Sequence, residues 1–402
     1  MTAVRRSRGS APVRVGFAVG FATVASVAWM PTQTAAQTAG ESPEALVARV
    51  LSTTPLIDGH NDLPWAIRES AAPGDVDAPA NDLRSHTPFQ TDIPRLRAGR
   101  VGGQFWSVYI PYEAVEDGAA KTQLEQIDIA LRVIDRYPDV FELARSASDV
   151  ERIFASGKIA SMLGIEGGHA IENSLGALRA YYAMGVRYLT LTHNGTLDWA
   201  DAGSDEHRHG GLTPFGREVV REMNRLGMLV DLAHTSPETM NDALDVSEAP
   251  VIWSHAGARG VYEHSRNVPD QVLRRLPENR GIVMLMFYPP FLSAREEATL
   301  SDVADHVEHV AAVAGIDHVG IGSDFDGIDR APVGLEDVSD FPALFVELAR
   351  RGWSESDLRK LAGENVLRVW REVETVSRRL HRERPASTAT IEQLDGVPVS
   401  AR

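Results

Sequence analysis

The sequence predicts a closed (β/α)8 barrel of the metal-dependent hydrolase type, in the TIM-like α/β class. Three observations carry that reading. Eight short apolar runs alternate with stretches of helical periodicity, the pattern of a parallel sheet wound through crossover helices. The runs are apolar throughout rather than at alternate positions, as suits strands buried on both faces. Histidine or a carboxylate stands at or just after the end of six of them, and that end is where such barrels build their sites. An open doubly wound sheet is the alternative. No glycine-rich dinucleotide or phosphate loop follows a strand in the way that arrangement needs.

Residues 1–36 read as an export signal. Arg5, Arg6, Arg8 and Arg14 form a basic opening, 15–29 is apolar or small, and Thr34-Ala35-Ala36 offers small residues for cleavage. An uncleaved N-terminal anchor is the alternative. The pair Arg5-Arg6 hints at twin-arginine export, but the apolar residues expected just after it are missing. The expected location is periplasmic or secreted.

Residues 41–376 read as one domain, without internal repeat or linker. A short helix over 41–52 leads into the first run. The runs fall at 56–58, 104–110, 159–165, 186–191, 228–232, 251–254, 282–286 and 319–323. Helical periodicity occupies 123–137, 175–184, 213–226, 236–244 and 301–314, and after the last run 336–347 and 354–372. From 377 to 402 the chain is polar, with Pro, Ser and Thr, and reads as a flexible tail. It has no terminal hydrophobic run of the kind that precedes a lipid-linked anchor.

Composition narrows the partners. The chain has 402 residues and a formal charge of -16, which argues against nucleic acid and anionic membrane. There is no cysteine, so any metal must be held by His, Asp and Glu.

The candidate ligands follow the predicted strands. His60 and Asp62 follow the first, and Glu166 ends the third. His193, His234 and His255 follow or end the fourth, fifth and sixth, and Asp324 ends the eighth. Taken singly, each has a plain explanation: a structural histidine, a helix cap, an Asx-turn. Structural residues have no reason to collect at one end of six strands. His60 and Asp62 stand two apart, so on extended backbone they share a face. Imidazole with carboxylate suits a divalent metal such as zinc. His60, Asp62, His234 and His255, with Glu166 as a two-oxygen bridge, would serve two ions about 3.5–4 Å apart. A water held between such ions becomes hydroxide near neutral pH.

The chain resembles the membrane dipeptidase (renal dipeptidase) family of zinc peptidases. The matching stretches are DGHNDLPW at 58–65, GIEGGHA at 164–170, LTLTHN at 189–194, GLTPFG at 211–216, MNRLGMLVDLAHTS at 223–236, SHAGA at 254–258, HSRNVPD at 264–270, GIGSDFDG at 320–327 and GLEDVS at 334–339. They span roughly 44 to 370 in family order. The resemblance implies two zinc ions, one on His60 and Asp62, the other on His234 and His255, with Glu166 bridging. It also implies that His193 and Arg266 contact substrate and that Asp324 assists proton transfer. Animal members carry cysteines and a lipid anchor that this chain lacks, so any homodimer would form without disulfides.

The expected activity is hydrolysis of dipeptides by a hydroxide bridging two zinc ions. His193 would stabilise the oxyanion, Asp324 would move the proton, and Arg266 would grip a free C-terminal carboxylate. The nearest rival is a metal-dependent amidohydrolase acting on another amide, a lactam or a lactone. A non-catalytic binding protein on the same barrel is disfavoured because every expected ligand is present. Lesser candidates are His169 as an orienting residue, His207 and His209 at a pocket rim, and Trp65 and Tyr288 in the pocket wall.

Overall fold

The computed structural model describes residues 40–396 apart from Glu296. The expected export signal and the last residues of the tail lie outside the described residues.

Nine strands are present among the described residues: β1 (Leu56–Asn61), β2 (Val101–Ser107), β3 (Phe141–Leu143), β4 (Ile159–Glu166), β5 (Val186–Thr190), β6 (Leu229–Asp231), β7 (Ile252–Ala256), β8 (Ile282–Leu285) and β9 (Val319–Ile321). Every pairing is parallel. The order runs β2-β1-β9-β8-β7-β6-β5-β4, and β2 pairs with β4, closing a ring of eight. These are the eight expected runs, within a few residues at each end. The ninth, β3, pairs with 159–161 of β4, on the edge that β5 takes over from Leu163. It was not expected, because three residues with Glu142 at the centre carry no apolar run.

Inward side chains fill the ring. Ile57, Phe105, Met162, Tyr188, Ile252, Ile282 and Met284 belong to one buried cluster. The helix Asn365–Glu383 closes its N-terminal end with Val366, Leu367 and Trp370. The Trp370 ring lies 5.8 Å from that of Phe105. Full burial of such a side chain contributes roughly 1.5–3 kcal/mol. The inward row of β4 needs glycine at 164, where a Cβ would stand 1.9 Å from the Tyr188 ring. That space lets Tyr188 reach across the ring toward β1.

Local chemistry fixes the crossover helices. In the GLTPFG stretch, Thr213 caps the helix Pro214–Leu226 by accepting from the Gly216 amide, Pro214 opens the first turn, and Gly227 (φ 87°) ends it. Among the described residues, no helix is long and apolar enough to cross a membrane.

Two expectations need correction. The helix expected from 336 begins at Phe341. Residues 336–340 turn instead, because the Asp340 carboxylate accepts the Glu336 and Asp337 amides. The tail is not loose over its described part. The last long helix continues to Glu383, with Leu380 buried. The short helix Ile391–Asp395 docks on the helix that begins at Pro214. There Asp395 accepts from Thr213 Oγ1 at 2.6 Å and from the Phe215 amide at 3.0 Å. Polar composition misled here because a few residues do the holding: Leu380 and Ile391 are buried, and Asp395 accepts two hydrogen bonds.

Candidate metal centre

Seven predicted side chains meet at the C-terminal mouth of the ring. His60 is in β1, and Asp62 directly precedes the helix Leu63–Arg68. Glu166 is the last residue of β4, and His255 is in β7. His193, His234 and Asp324 lie just past β5, β6 and β9. His234 (φ 65°) and Asp324 (φ 69°) adopt the left-handed backbone that ordinary residues avoid. Such strain persists where a site dictates geometry. Gly327 completes the mouth, because a Cβ there would stand 2.3 Å from Asp62 Oδ2.

Glu166 is the centre of the cluster. Its Oε1 lies 2.9 Å from His234 Nε2 and 3.3 Å from His255 Nε2. Its Oε2 lies 3.5 Å from His60 Nε2. His60 Nε2 is also 3.2 Å from Asp62 Oδ2 and 3.8 Å from Asp324 Oδ1. Three groupings can therefore hold an ion: His60 with Glu166 and His255; Glu166 with His193 and His234; and His60 with Asp62 and Asp324. His193 Nε2, 3.8 Å from Glu166 Oε1, is thus near enough to serve as a ligand as well as a substrate contact.

The donor set fits divalent cations. His60 Nε2 and Asp62 Oδ1 are buried with no hydrogen-bond partner among the described residues. Asn194 Oδ1 stands 3.2 Å from His234 Nδ1 and accepts from it, which leaves the His234 Nε2 lone pair turned inward. That nitrogen faces His255 Nε2 at 2.9 Å. Two such nitrogens, with three carboxylates close by, call for a cation among them.

Burial, aided by the nearby Arg266 charge, holds His234 well below the ordinary imidazole range. Burial and the neighbouring His60 do the same for His255. Both are therefore neutral, the form that ligates. Burial would raise Glu166, but His60 and His193 hold it well below the ordinary range. Asp324 goes the other way: burial pushes its carboxyl well above that range, and the adjacent Asp62 and Glu166 add to the effect. The two carboxyl groups are thus pushed in opposite directions by their surroundings.

The cluster opens into a cleft of about 350 Å³ walled by Trp65, Tyr109, Arg266, Tyr288, Phe291 and Ile328. Trp65 and Tyr288 are wall residues, as considered from the sequence. Arg266 is 3% exposed, and its Nε and Nη1 have no hydrogen-bond partner among the described residues. Its guanidinium carbon lies 5.7 Å from the Phe291 ring centre. Burial lowers its pKa to about 10, so it remains a cation at neutral pH.

The lesser histidines take other roles. His169 Nε2 bonds the Ile110 carbonyl at 3.0 Å, a packing role. His207 faces Glu238 at 3.5 Å, and His209 bonds the Leu197 carbonyl. None of these three lines the cleft. Tyr109, Phe291 and Ile328 were not foreseen, nor were the groups that orient the histidines. Tyr188 OH is 2.8 Å from His60 Nδ1, and Ser254 Oγ is 2.9 Å from His255 Nδ1. The only sequence signal was their place on the predicted strands.

Comparison with known proteins adds three likenesses and a family. A family model described as membrane dipeptidase, peptidase family M19, matches residues 44–384. An uncharacterized dipeptidase of Schizosaccharomyces pombe is 49% identical over 355 residues, 85% of this chain and 86% of its own. A metallo peptidase from Rhodobacter sphaeroides, solved with a phosphinate mimic of the dipeptide L-Ala-D-Ala, is 28% identical with a TM-score of 0.70. That match covers 80% of this chain and 99% of the other. The dipeptidase AC, a metallo peptidase of family M19, is 29% identical with a TM-score of 0.72, at the same coverage.

Proposed function

For a chain that belongs to the membrane dipeptidase family, and is thereby a metallo-dipeptidase, we propose a centre of two zinc ions that cleaves dipeptides with a free C-terminal carboxylate. The observation that carries it is the division of the Glu166 carboxylate. One oxygen faces His60, and the other faces His234 and His255. In this reading His60 and Asp62 hold one ion, His234 and His255 the other, and Glu166 serves both. Divalent ions there supply an acidified water and a polarised carbonyl.

The remaining roles fall to the chain's own side chains. His193, beside Tyr109 at the cleft wall, donates toward the oxygen that gains charge at the scissile carbon. Asp324 takes up the water proton and passes it to the leaving amine. Arg266, charged, lining the same cleft and with Nε and Nη1 unpartnered among the described residues, receives the C-terminal carboxylate. The phosphinate dipeptide mimic in the Rhodobacter sphaeroides relative supports a dipeptide as occupant of the cleft. The basic and then apolar opening of the chain supports an exported enzyme.

The test is metal analysis with a substrate panel. Purified protein should carry about two zinc ions per chain, and chelation should abolish dipeptide hydrolysis. Zinc should restore it. Activity on lactams or lactones with none on dipeptides would overturn the substrate assignment, and undiminished hydrolysis after metal removal would overturn the centre.

Asp324→Asn tests the proton role separately. The amide keeps the shape but cannot carry the proton, so kcat should fall by a factor on the order of 10²–10⁴. Zinc content should stay near that of the wild type. Loss of zinc together with activity would make Asp324 a ligand instead.

A further inference from the structure

We infer that Asp231 is a positioning residue that acts through Ser254 to fix the tautomer and aim of His255, and so the metal affinity of the centre. The inference rests on the metal-centre reading above. Asp231 ends β6 and is fully buried, yet it belongs to none of the groupings that can hold an ion. Its Oδ2 accepts from Ser254 Oγ at 2.6 Å and from Thr190 Oγ1 at 2.5 Å. Its Oδ1 accepts from the Ser254 amide at 2.8 Å and the Ala233 amide at 3.1 Å. A buried carboxylate is costly unless its lone pairs are satisfied, and here four donors converge on it.

Those four donors decide the proton positions. A serine hydroxyl has one hydrogen. Ser254 gives it to Asp231, so toward His255 Nδ1, 2.9 Å away, it can only accept. His255 must then carry its hydrogen on Nδ1. Its Nε2 is left as a bare lone pair, 3.3 Å from Glu166 Oε1. Without the carboxylate, the serine hydrogen could turn toward Nδ1 and favour the other tautomer, with an N–H aimed into the centre. The negative charge behind Ser254 also strengthens the imidazole as a donor, as carboxylates behind metal-bound histidines do. His60 and His234 have neutral partners at the same nitrogen, Tyr188 and Asn194. His255 is thus the candidate ligand tied by this route to a buried charge.

Thr190 provides the control. Its hydroxyl donates to the same oxygen of Asp231, and although its backbone pairs with Glu166 across β4 and β5, its side chain makes no hydrogen bond to a candidate ligand among the described residues. A purely structural role for Asp231 would make Thr190→Val and Ser254→Ala alike.

The experiment titrates metal-depleted protein with zinc against a chromophoric chelator, and records the thermal midpoint of each metal-free protein. Ser254→Ala should weaken zinc binding by about 10–100-fold, the range for lost outer partners, and Thr190→Val by about threefold or less. Metal-free midpoints should move little and alike. Equal affinities in Ser254→Ala and wild type, or equal losses in the two variants, would overturn the proposal. Failure of the wild type to bind zinc would instead overturn the metal centre itself. Should Ser254→Ala not fold, long-range ¹H–¹⁵N spectra of histidine-labelled wild type give the answer directly. The resonance that disappears in His255→Asn must report hydrogen on Nδ1, and hydrogen on Nε2 overturns the proposal.

Discussion

Glu166→Gln is expected to purify depleted of both zinc ions and to show no measurable dipeptide hydrolysis. Glutamine keeps the length and one carbonyl oxygen of the side chain, but it loses the charge. Because one carboxylate oxygen faces His234 and His255, 2.9 Å from the first, and the other faces His60 at 3.5 Å, neither ion would keep its full share. The amide end must turn one way or the other, so one ion meets an N–H₂ group instead of a lone pair. The other loses half of a shared negative charge. Even partners one step removed from a metal are worth about 10–100-fold in affinity, and a direct shared ligand should exceed that at both ions. A ligand belonging to one ion alone, such as Asp62, should deplete chiefly that ion when changed to Asn. The check is zinc per chain by mass spectrometry after gel filtration, beside kcat/KM for one dipeptide. Full zinc content and full activity in Glu166→Gln would remove the bridging role.

How much of this centre was legible in the sequence depends on how far each residue lies from a strand end. His60, Glu166, His255 and Asp324 were readable because runs that are apolar throughout mark barrel strands, and the barrel gathers whatever follows them. His193 and His234 stand three residues past the ends of β5 and β6 and were caught by the same rule. Asp231, Ser254 and Tyr188 lie within or at the end of those same runs. They were passed over because a single polar residue in a buried strand gives no sign of which neighbour it will bond. The barrel sets their partners: β6 beside β7 joins Asp231 to Ser254, while Tyr188 of β5 reaches His60 of β1 across the ring. The strand β3 and the docked tail escaped for a related reason. β3 is only three residues with Glu142 between two apolar ones, and the short terminal helix is held by Thr213 and Phe215, far away in sequence. Arg266 is the clearest case. It sits in the loop after β7, away from any strand end, and only the family likeness of HSRNVPD drew attention to it.

Arg266 should also set the length of the substrate. The loop that carries it is held firmly. Val268 bridges to Ala258, and the Asn267 amide donates to the Tyr262 and Phe291 carbonyls at 2.9 and 2.7 Å. The backbone under Arg266 is thereby held in place, and its buried Nε and Nη1 have no hydrogen-bond partner among the described residues. A carboxylate can take two parallel N–H donors from a guanidinium edge that includes Nη2, paired with Nε or with Nη1. Arg266 and the metal cluster border one cleft, so a substrate gripped at its C-terminus offers the peptide bond nearest that end. A dipeptide then fits, while an amide leaves the buried cation unanswered and a tripeptide must place its extra residue elsewhere. Hydrogen bonds to a charged group are worth about 1.5–3 kcal/mol each. At 1.4 kcal/mol per factor of ten, the wild type should favour a dipeptide over its amide by roughly 10²-fold in kcat/KM. Arg266→Ala should lose that preference and fall toward the amide rate on both. Arg266→Lys should retain part of it, because lysine keeps the charge without the planar fork. Zinc content should be unchanged in both variants, which separates this loss from damage to the metal centre. Equal cleavage of acid and amide by the wild type, or a preference for the acid surviving in Arg266→Ala, would sink the assignment.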